Sequence, residues 1–278
     1  MNAPVVVYLA DKRDRLDPVG WYRIDCLCAS IQTVKLFMPS LPVVIFHEDF
    51  LEEDKRRIWN IVPEIKFEQI DFETHRAFHV NCRPDGRCGA YGYTMMCRFF
   101  CGVMQAHSAI SGYSHYMRLD DDNYIVAPAP ESFFNTALSR DYTYACYSEE
   151  QHRTLYKFTN DFLAAEGLKH LPPYSDSVPY NNMHIASLAL WRHPVIRKYT
   201  DKLEEVNGCV ALGWTDASIH NMIVKGIAPQ LGLKVCLDTT LSYRHNQQCI
   251  HKGPHTEYCY DGKNRQYPWG PPSCLSKS

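Results

Sequence analysis

The first seventy residues alternate between short apolar runs and helix-like segments, and this pattern restricts the possible folds more than any other feature of the chain. Residues 5–10, 43–46 and 66–70 are predicted strands, and residues 19–38 and 51–60 between them carry apolar side chains at helical spacing. The order strand–helix–strand–helix–strand favours a parallel sheet with helices on its faces. Ligands of such sheets bind beyond the carboxyl ends of the strands. The sequence therefore predicts an α/β fold.

The remainder of the chain continues this alternation with no internal repeat or clear linker, so we expect a single domain over residues 1–278. The tail from residue 247 is rich in Gly, Pro, Cys and Tyr, and we expect it to be irregular. Apolar spacing predicts helices at 93–107, 151–166, 194–206 and 214–225, and strands at 113–119, 143–147 and 233–237.

Composition excludes several classes of protein. Hydrophobic residues make up 45% and charged residues 22%, which is ordinary for a globular domain and unlike a disordered chain. The net charge of −2 argues against a nucleic-acid partner. No apolar run reaches the roughly 18 residues needed to span a bilayer, and the start MNAPVVVYLADKRDR has no basic region typical of a signal peptide.

The strongest chemical signal is an apolar strand that runs directly into three carboxylates, in SHYMRLDDDNYI. Alternation places Asp120 and Asp122 on one side and Asp121 on the other. Two converging carboxylates repel each other unless a cation lies between them. Hard oxygen ligands suit Mg²⁺ or Mn²⁺, which commonly bridge to a diphosphate. We therefore predict a metal–diphosphate site here; the alternative is a solvated acidic turn.

Two later segments offer further candidates. Asp216, in GWTDASIHNMIV, is predicted to act as a general base or to anchor a substrate hydroxyl; alternatively, Thr215 or Asp216 caps the following helix. His220, one turn on, is more typical of a packed histidine. In LSYRHN, His245 is a candidate neutral imidazole ligand that completes the metal site, and Arg244 is a candidate phosphate contact.

Other His and Cys groupings give weaker signals. The tail contains Cys249-x-His251-xxx-His255-xxx-Cys259, whose spacing matches no common zinc finger, so we expect no zinc there. The histidine pair at 75–79 has helical metal spacing but no third ligand nearby, and we interpret it as surface.

Several stretches resemble, in order along the chain, glycosyltransferase family 15, the fungal α-1,2-mannosyltransferases. The stretch AYGYTMMCRFFCGVMQAHSAISGYSHYMRLDDD is similar to the family core, in which MCRF- or MCRY-type residues precede a strand ending in R-V-E-P-D. YNNMHIASLALWR is similar to Y-N-x-C-H-F-W-S-N-F-E-I, GWTDASIHNMIV to W-G-D-A-P-V-H-S, and SYRHN to Y-x-H-x. The resemblance covers roughly residues 90–246.

This resemblance implies a GT-A fold, with one Rossmann-like mixed sheet flanked by helices and a metal site at a strand end. It implies Mn²⁺- (or Mg²⁺-) dependent transfer of a sugar from a nucleoside-diphosphate sugar, GDP-mannose in the family, to a glycan hydroxyl. Residues 1–70 would form the nucleotide-binding half, and residues 90–246 the half for metal, donor and acceptor.

The resemblance also implies roles for individual residues. Asp120 matches the family's metal-binding Glu, Asp122 its following Asp, and His245 its second metal ligand. Asp216 matches a carboxylate proposed to act in catalysis. Three further residues, Tyr180, Asn181 and His184, are expected to shape the sugar pocket or, alternatively, to support a buried loop.

One position departs from the family. Aligning on Tyr180, Asn181 and His184 puts Leu190 where the family has its proposed nucleophilic Glu, in a region expected to face the sugar. Two routes remain open: a front-face transfer in which the leaving diphosphate takes the acceptor proton, or inversion with Asp216 as general base. The identity of the donor also stays open: GDP-mannose is the donor in the family, and a UDP-sugar such as UDP-xylose is the alternative.

Two rival functions fit the same residues. The rivals are a nucleotide-sugar diphosphate hydrolase and a non-enzymatic carbohydrate-binding scaffold.

We expect Arg98 to tie its helix to the acidic strand end. Twelve cysteines permit disulfides without requiring them, and no N-x-S/T sequon occurs. We predict a cytoplasmic location; the alternative is a lumenal Golgi catalytic domain without its membrane anchor.

Overall fold

The computed structural model describes residues 4–11, 15–16, 22–72 and 91–245, and the backbone of 249–252 and 255–257. The strands of this part, in chain order, are β1 (Val5–Leu9), β2 (Val43–His47), β3 (Lys66–Gln69), β4 (His115–Leu119), β5 (Asn123–Ile125), β6 (Tyr142–Tyr144), β7 (Tyr147–Glu149), β8 (Ser177–Pro179), β9 (Met183–Ser187), β10 (Val235–Leu237), β11 (Tyr243–His245), β12 (Cys249–Lys252) and β13 (His255–Glu257).

The main sheet has seven strands in the order β10-β6-β9-β4-β1-β2-β3. Strands β1, β2 and β3 run parallel, as the alternation predicted. Strand β4 runs parallel to β1, and β10 runs parallel to β6. Only β9 is antiparallel to its two neighbours, β4 and β6, among the described strands of this sheet. The sheet is therefore mixed, and the central β4 ends at the acidic run.

Helices cover both faces of this sheet. They are α1 (Arg23–Phe37), α2 (Glu52–Trp59), α3 (Tyr91–Arg98), α4 (Glu131–Leu138), α5 (Arg153–Ala165), α6 (Leu188–Arg192), α7 (Pro194–Glu205), α8 (Gly208–Ala211), α9 (Asp216–Asn221) and α10 (Ala228–Gln230). Alternate side chains of β1 enter two separate cores, Val5 and Val7 on one side and Val6 and Tyr8 on the other. Within the described part, no helix has the length and apolar character needed to cross a bilayer.

Two predicted helices are interrupted. The helix expected at 93–107 ends at Arg98, and Gly102, with φ of 136°, breaks the following turns, a backbone conformation that glycine tolerates. Gln105 accepts the Gly102 N–H at 2.9 Å. The helix expected at 214–225 is α-helical over Asp216–Asn221 and continues as a π-helical segment, Met222–Ile227.

A second sheet brings a distant segment to the acidic run. Its order is β13-β12-β11-β5, with antiparallel pairing throughout, so the expectation of an irregular tail is wrong for residues 249–252 and 255–257. The tail gains order because its backbone pairs with β11, a long-range contact that local periodicity does not reveal. In this sheet His245 lies opposite Asn123, the residue that follows the three carboxylates.

Candidate active site

The three carboxylates occupy a tight turn between β4 and β5. Asp120 donates its backbone N–H to Asn182 at 3.1 Å, and its carbonyl accepts the Asn123 N–H at 2.9 Å. Asp121 and Asp122 are almost fully buried, with 3% and 4% of their surface exposed. The turn is therefore held by the neighbouring β9 segment and is not the solvated acidic turn that was the alternative.

The predicted ligands converge. His245 Nε2 lies 3.2 Å from Asp122 Oδ1 and 3.8 Å from Asp120 Oδ2. Asp121 points elsewhere, as alternation predicted. The Tyr180 hydroxyl contacts His245 Nδ1 at 2.7 Å, which turns Nε2 towards the two carboxylates.

These side chains fit a divalent cation in their chemistry. Asp122 Oδ1 is buried and, among the described residues, has no hydrogen-bond partner of good geometry, although His245 is close. An orphaned carboxylate oxygen beside an imidazole nitrogen and a second carboxylate is a suitable donor set for Mn²⁺ or Mg²⁺. A fully formed cluster of three or more metal ligands does not occur in the described part of the chain.

Arg23, which the sequence analysis did not identify, pairs with two of the carboxylates. Its Nη1 lies 2.8 Å from Asp122 Oδ2, its Nε donates to Asp121 Oδ2 at 3.2 Å, and its Nη2 pairs with Asp121 Oδ1. Burial disfavours ionised Asp122, but the contact with His245 and the charge of Arg23 outweigh burial and hold the pKa of Asp122 below its ordinary value. We call Arg23, Asp121 and Asp122 the outer arginine group.

Arg118, also missed, lies at the fully buried end of β4. Its guanidinium lies 2.9 Å from Asp120 Oδ1 and 2.5 Å from Asp216 Oδ2. It also lies 3.7 Å above the ring of Phe100. The signal that could have revealed it is an arginine inside the apolar run SHYMRL, because a buried charge requires a partner. We call Arg118, Asp120 and Asp216 the inner arginine group.

Asp216 therefore joins the metal side of the site through Arg118. The helix cap is Thr215, whose hydroxyl accepts the Ser218 N–H at 3.3 Å, so Asp216 itself is not the cap. Asp216 Oδ1 accepts from the Cys97 thiol at 3.4 Å. Burial would raise the pKa of Asp216, but the charge of Arg118 lowers it below its ordinary value.

The predicted sugar-pocket residues separate into two environments. Tyr180 is half-buried at His245, as described above. His184 is fully buried, and its ring nitrogens contact the Asn181 carbonyl at 3.0 Å and the Tyr116 hydroxyl at 3.1 Å. The prediction that His184 contacts the donor is therefore replaced by the alternative, a buried support, because both nitrogens are used in the core. Asn181 is buried beside it, with 5% exposed.

Two further expectations are corrected. Leu190 does not face a sugar site: it is fully buried in α6, whose first turn is capped by Ser187 at 3.0 Å. Arg98 does not reach the acidic strand end; it pairs with Glu204 of α7 at 2.8 Å. The arginine that does reach the acidic end is Arg118.

The remaining candidates pack against an aromatic ring or in the core. Arg244, 9% exposed, stacks its guanidinium 5.2 Å from the ring of Tyr124 in β5. His220 is packed in the core, as expected, with Nδ1 at 2.8 Å from Tyr142 and Nε2 at 2.9 Å from the Phe100 carbonyl. The histidine pair at 75–79 and the side chains of the Cys–His tail lie outside the described residues.

Comparison with known sequences supports the resemblance seen in the motifs. The chain is 24% identical over 207 residues to glycolipid 2-alpha-mannosyltransferase 1 of Candida albicans. It is 25% identical over 181 residues to glycolipid 2-alpha-mannosyltransferase of Saccharomyces cerevisiae. These matches cover 66% and 56% of this chain, and the chain spans 48% and 39% of the length of those curated relatives. No family model matches the chain.

Solved structures with the same fold include two fungal mannosyltransferases. Core-mannan synthase A (CmsA/Ktr4) from Aspergillus fumigatus, in an Mn/GDP form, aligns with a TM-score of 0.73 at 18% identity, covering 99% of this chain and 82% of that one. Ktr4p from S. cerevisiae in complex with GDP aligns at 0.69 and 16% identity, covering 96% and 78%. Galactosyltransferase LgtC aligns at 0.51 and 13% identity, covering 84% and 73%. The predicted GT-A fold and the resemblance to family 15 are confirmed.

Proposed function

We propose that the chain is a metal-dependent glycosyltransferase that moves a sugar from a nucleoside-diphosphate sugar, GDP-mannose in the first instance, to a glycan hydroxyl. The observation that carries this proposal is the convergence of Asp120, Asp122 and His245 at the carboxyl end of β4. The GT-A neighbour solved in an Mn/GDP form supports the choice of cation and nucleotide.

Asp120, Asp122 and His245 would hold the cation, which when bound offsets the charge of the leaving diphosphate. Tyr180 keeps His245 Nε2 facing that position, because its hydroxyl occupies Nδ1. Arg244, on the same strand as His245, is the proposed phosphate contact. Asn181, next to Tyr180, remains the proposed polar contact for the donor, whereas His184 supports the strand behind it.

Asp216 is the proposed catalytic carboxylate. Its lowered pKa makes it a weaker base, so the contacts with Arg118 and Cys97 favour orienting an acceptor hydroxyl over removing its proton. Leu190 supplies no carboxylate, and its burial supports a route without a nucleophile at this position. A front-face transfer, in which the leaving diphosphate accepts the proton, satisfies both observations. Product stereochemistry by NMR tests this, since retention is expected and inversion would favour Asp216 as base.

The first experiment measures nucleotide binding. The melting temperature is followed with GDP and UDP, each with Mn²⁺ or EDTA. A ligand at a hundred times its dissociation constant adds about 2.7 kcal/mol to the free energy of unfolding. We expect stabilisation by GDP only when Mn²⁺ is present, and loss of that dependence in His245→Ala. The matched control is His170→Ala, which changes an exposed histidine. Stabilisation by UDP instead would redirect the donor to a UDP-sugar such as UDP-xylose.

The second experiment separates the rival functions. GDP-mannose and Mn²⁺ are incubated with and without a mannoside acceptor, and the products are separated by chromatography. A glycosyltransferase produces an extended acceptor, whereas a nucleotide-sugar hydrolase releases free mannose whether or not acceptor is present. A carbohydrate-binding scaffold releases GDP in neither case.

The location is part of the same proposal. Cys97, Cys101 and Cys209 are buried free thiols, which suits a reducing compartment and the predicted cytoplasmic location. Fractionation of cells expressing the tagged protein distinguishes the cytoplasm from the Golgi lumen.

A further inference from the structure

Asp121 is the residue of the acidic turn for which the proposed function has no use. The segment resembling R-V-E-P-D has proline at this position, so an acidic side chain here is a departure from that pattern. Asp121 is 3% exposed, and burying a carboxylate is costly unless it is paired. Its oxygens are directed at Arg23 and at the backbone N–H of Asp11, 3.3 Å away, two residues beyond the end of β1.

Arg23 divides its guanidinium between two adjacent carboxylates. Nε and Nη2 face Asp121, and Nη1 faces Asp122 at 2.8 Å. A planar guanidinium prefers to bind one carboxylate through two parallel N–H groups. Here Asp121 occupies that two-point position, and Asp122 receives only a single contact.

The single contact determines which oxygen of Asp122 stays available. Arg23 contacts Oδ2, whereas Oδ1 faces His245 and has no good hydrogen-bond partner among the described residues. If Arg23 instead bound Asp122 through two points, both oxygens would be occupied by a positive group. A divalent cation would then have to displace an arginine to bind.

We propose that Asp121 is a positioning residue that engages Arg23 and thereby leaves Asp122 Oδ1 for the divalent cation. Arg23 in turn is the resident counter-charge of the acidic turn when no cation is bound. The inference rests on the proposed function, because it assumes that Asp120, Asp122 and His245 hold a metal.

The test measures Mn²⁺ affinity directly, by electron paramagnetic resonance of free Mn²⁺ during titration of the purified protein with GDP present. Asp121→Asn keeps the size of the side chain but removes its charge, so Arg23 turns to Asp122. We expect Mn²⁺ affinity to fall by about 10–100-fold, the range seen when outer partners of metal ligands are removed. Adding Arg23→Met to Asp121→Asn removes the competing guanidinium and should recover most of that loss.

The matched control is Asp25→Asn, which removes a negative charge on the same helix as Arg23. Asp25 pairs with Arg57 at the surface and does not contact the turn, so Mn²⁺ affinity should stay unchanged. Circular dichroism and the melting temperature confirm that each variant is folded.

The pattern of outcomes distinguishes the two proposals. Wild-type protein that binds no Mn²⁺ with or without GDP contradicts the proposed function, and the inference with it. Wild-type protein that binds Mn²⁺, while the double variant is as weak as or weaker than Asp121→Asn, overturns the inference alone. A loss in Asp25→Asn equal to that in Asp121→Asn also overturns it, because the effect would then be one of net charge.

Discussion

The inner and outer arginine groups use the same arrangement, one guanidinium between two carboxylates, in different surroundings. Arg118 of the inner group is 2% exposed, and its partners Asp120 and Asp216 come from different elements. Arg23 of the outer group has a side chain that is 15% exposed, and its partners are neighbours in the chain.

This difference determines whether a metal ion can take over the charge of the arginine in each group. Behind the turn Arg118 pairs with Asp216, and the ring of Phe100 packs against its guanidinium. Asp122, in contrast, lies where the proposed cation binds, so a metal can share the charge that Arg23 neutralises. Arg118 is thus a fixed counter-charge in the core, and Arg23 is a counter-charge that a metal can partly replace.

The largest expected effect is that of Arg118→Met on stability. Removing one member of a buried ion pair leaves an uncompensated charge and costs about 3–5 kcal/mol. Urea denaturation of Arg118→Met and of the control Arg98→Met, whose partner Glu204 is 40% exposed, measures the difference. If Arg118→Met does not fold, Arg118→Lys keeps the charge and should fold with reduced stability. Equal losses in Arg98→Met and Arg118→Met would contradict the distinction between buried and surface pairs.

The next largest effect is that of Asp216→Asn on turnover. If Asp216 removes the acceptor proton, turnover should fall by at least about 100-fold. If it only orients the acceptor hydroxyl, the loss should be smaller, because Asn still offers an oxygen acceptor. In both cases the affinities for GDP and Mn²⁺ should stay unchanged. The melting temperature should fall too, because Asn cannot neutralise Arg118. A matching loss of Mn²⁺ affinity would instead mean that Asp216 acts through Arg118 on Asp120. Isothermal titration together with initial rates separates these results, with Asp25→Asn as the control.

The strands around the site were predictable from local sequence, but the arginines were not. Residues 5–10 are a continuous apolar run and residues 113–119 a partly apolar one, and Asp120 and Asp122 follow directly after the second. Arg118 and Asp216 are 98 residues apart, so only the fold shows that they pair.

Contacts between distant parts of the chain also explain the predictions that were wrong. Arg98 was expected to tie its helix to the acidic strand end, yet its helix directs it to Glu204. Leu190 was expected at the sugar site from alignment, but α6 turns its side chain into the core. Residues 249–252 lack local periodicity and become a strand only through pairing with β11.

The third prediction is that acid pH lowers the free energy of unfolding through buried histidines. His220 and His184 lie in the core behind Arg118, and burial lowers the pKa of His220 to about 4 and that of His184 well below its ordinary value. In unfolded chains histidine titrates at about 6.5, so protons favour unfolding as the pH falls below that value. The free energy of unfolding should therefore fall between pH 6.5 and about 4. His220→Gln should flatten this dependence in denaturant titrations, whereas His170→Gln should leave it unchanged.

The smallest expected effect, and the one that tests the comparison most directly, is that of Arg23→Met. Asp121 and Asp122 lose their counter-charge, but the Arg23 side chain is 15% exposed against 2% for Arg118, so the loss in EDTA should be smaller than that of Arg118→Met. Mn²⁺ with GDP should then stabilise Arg23→Met at least as much as it stabilises the wild type, because a cation can take over the role of the guanidinium. Mn²⁺ with GDP should stabilise Arg118→Lys less than Arg23→Met, since Asp216 lies on the far side of Arg118 from the proposed cation. Melting temperatures in EDTA and in Mn²⁺ with GDP measure both variants side by side. If Mn²⁺ with GDP raised the melting temperatures of the two variants equally, the cation would be able to replace the charge of the arginine in the inner and the outer group alike.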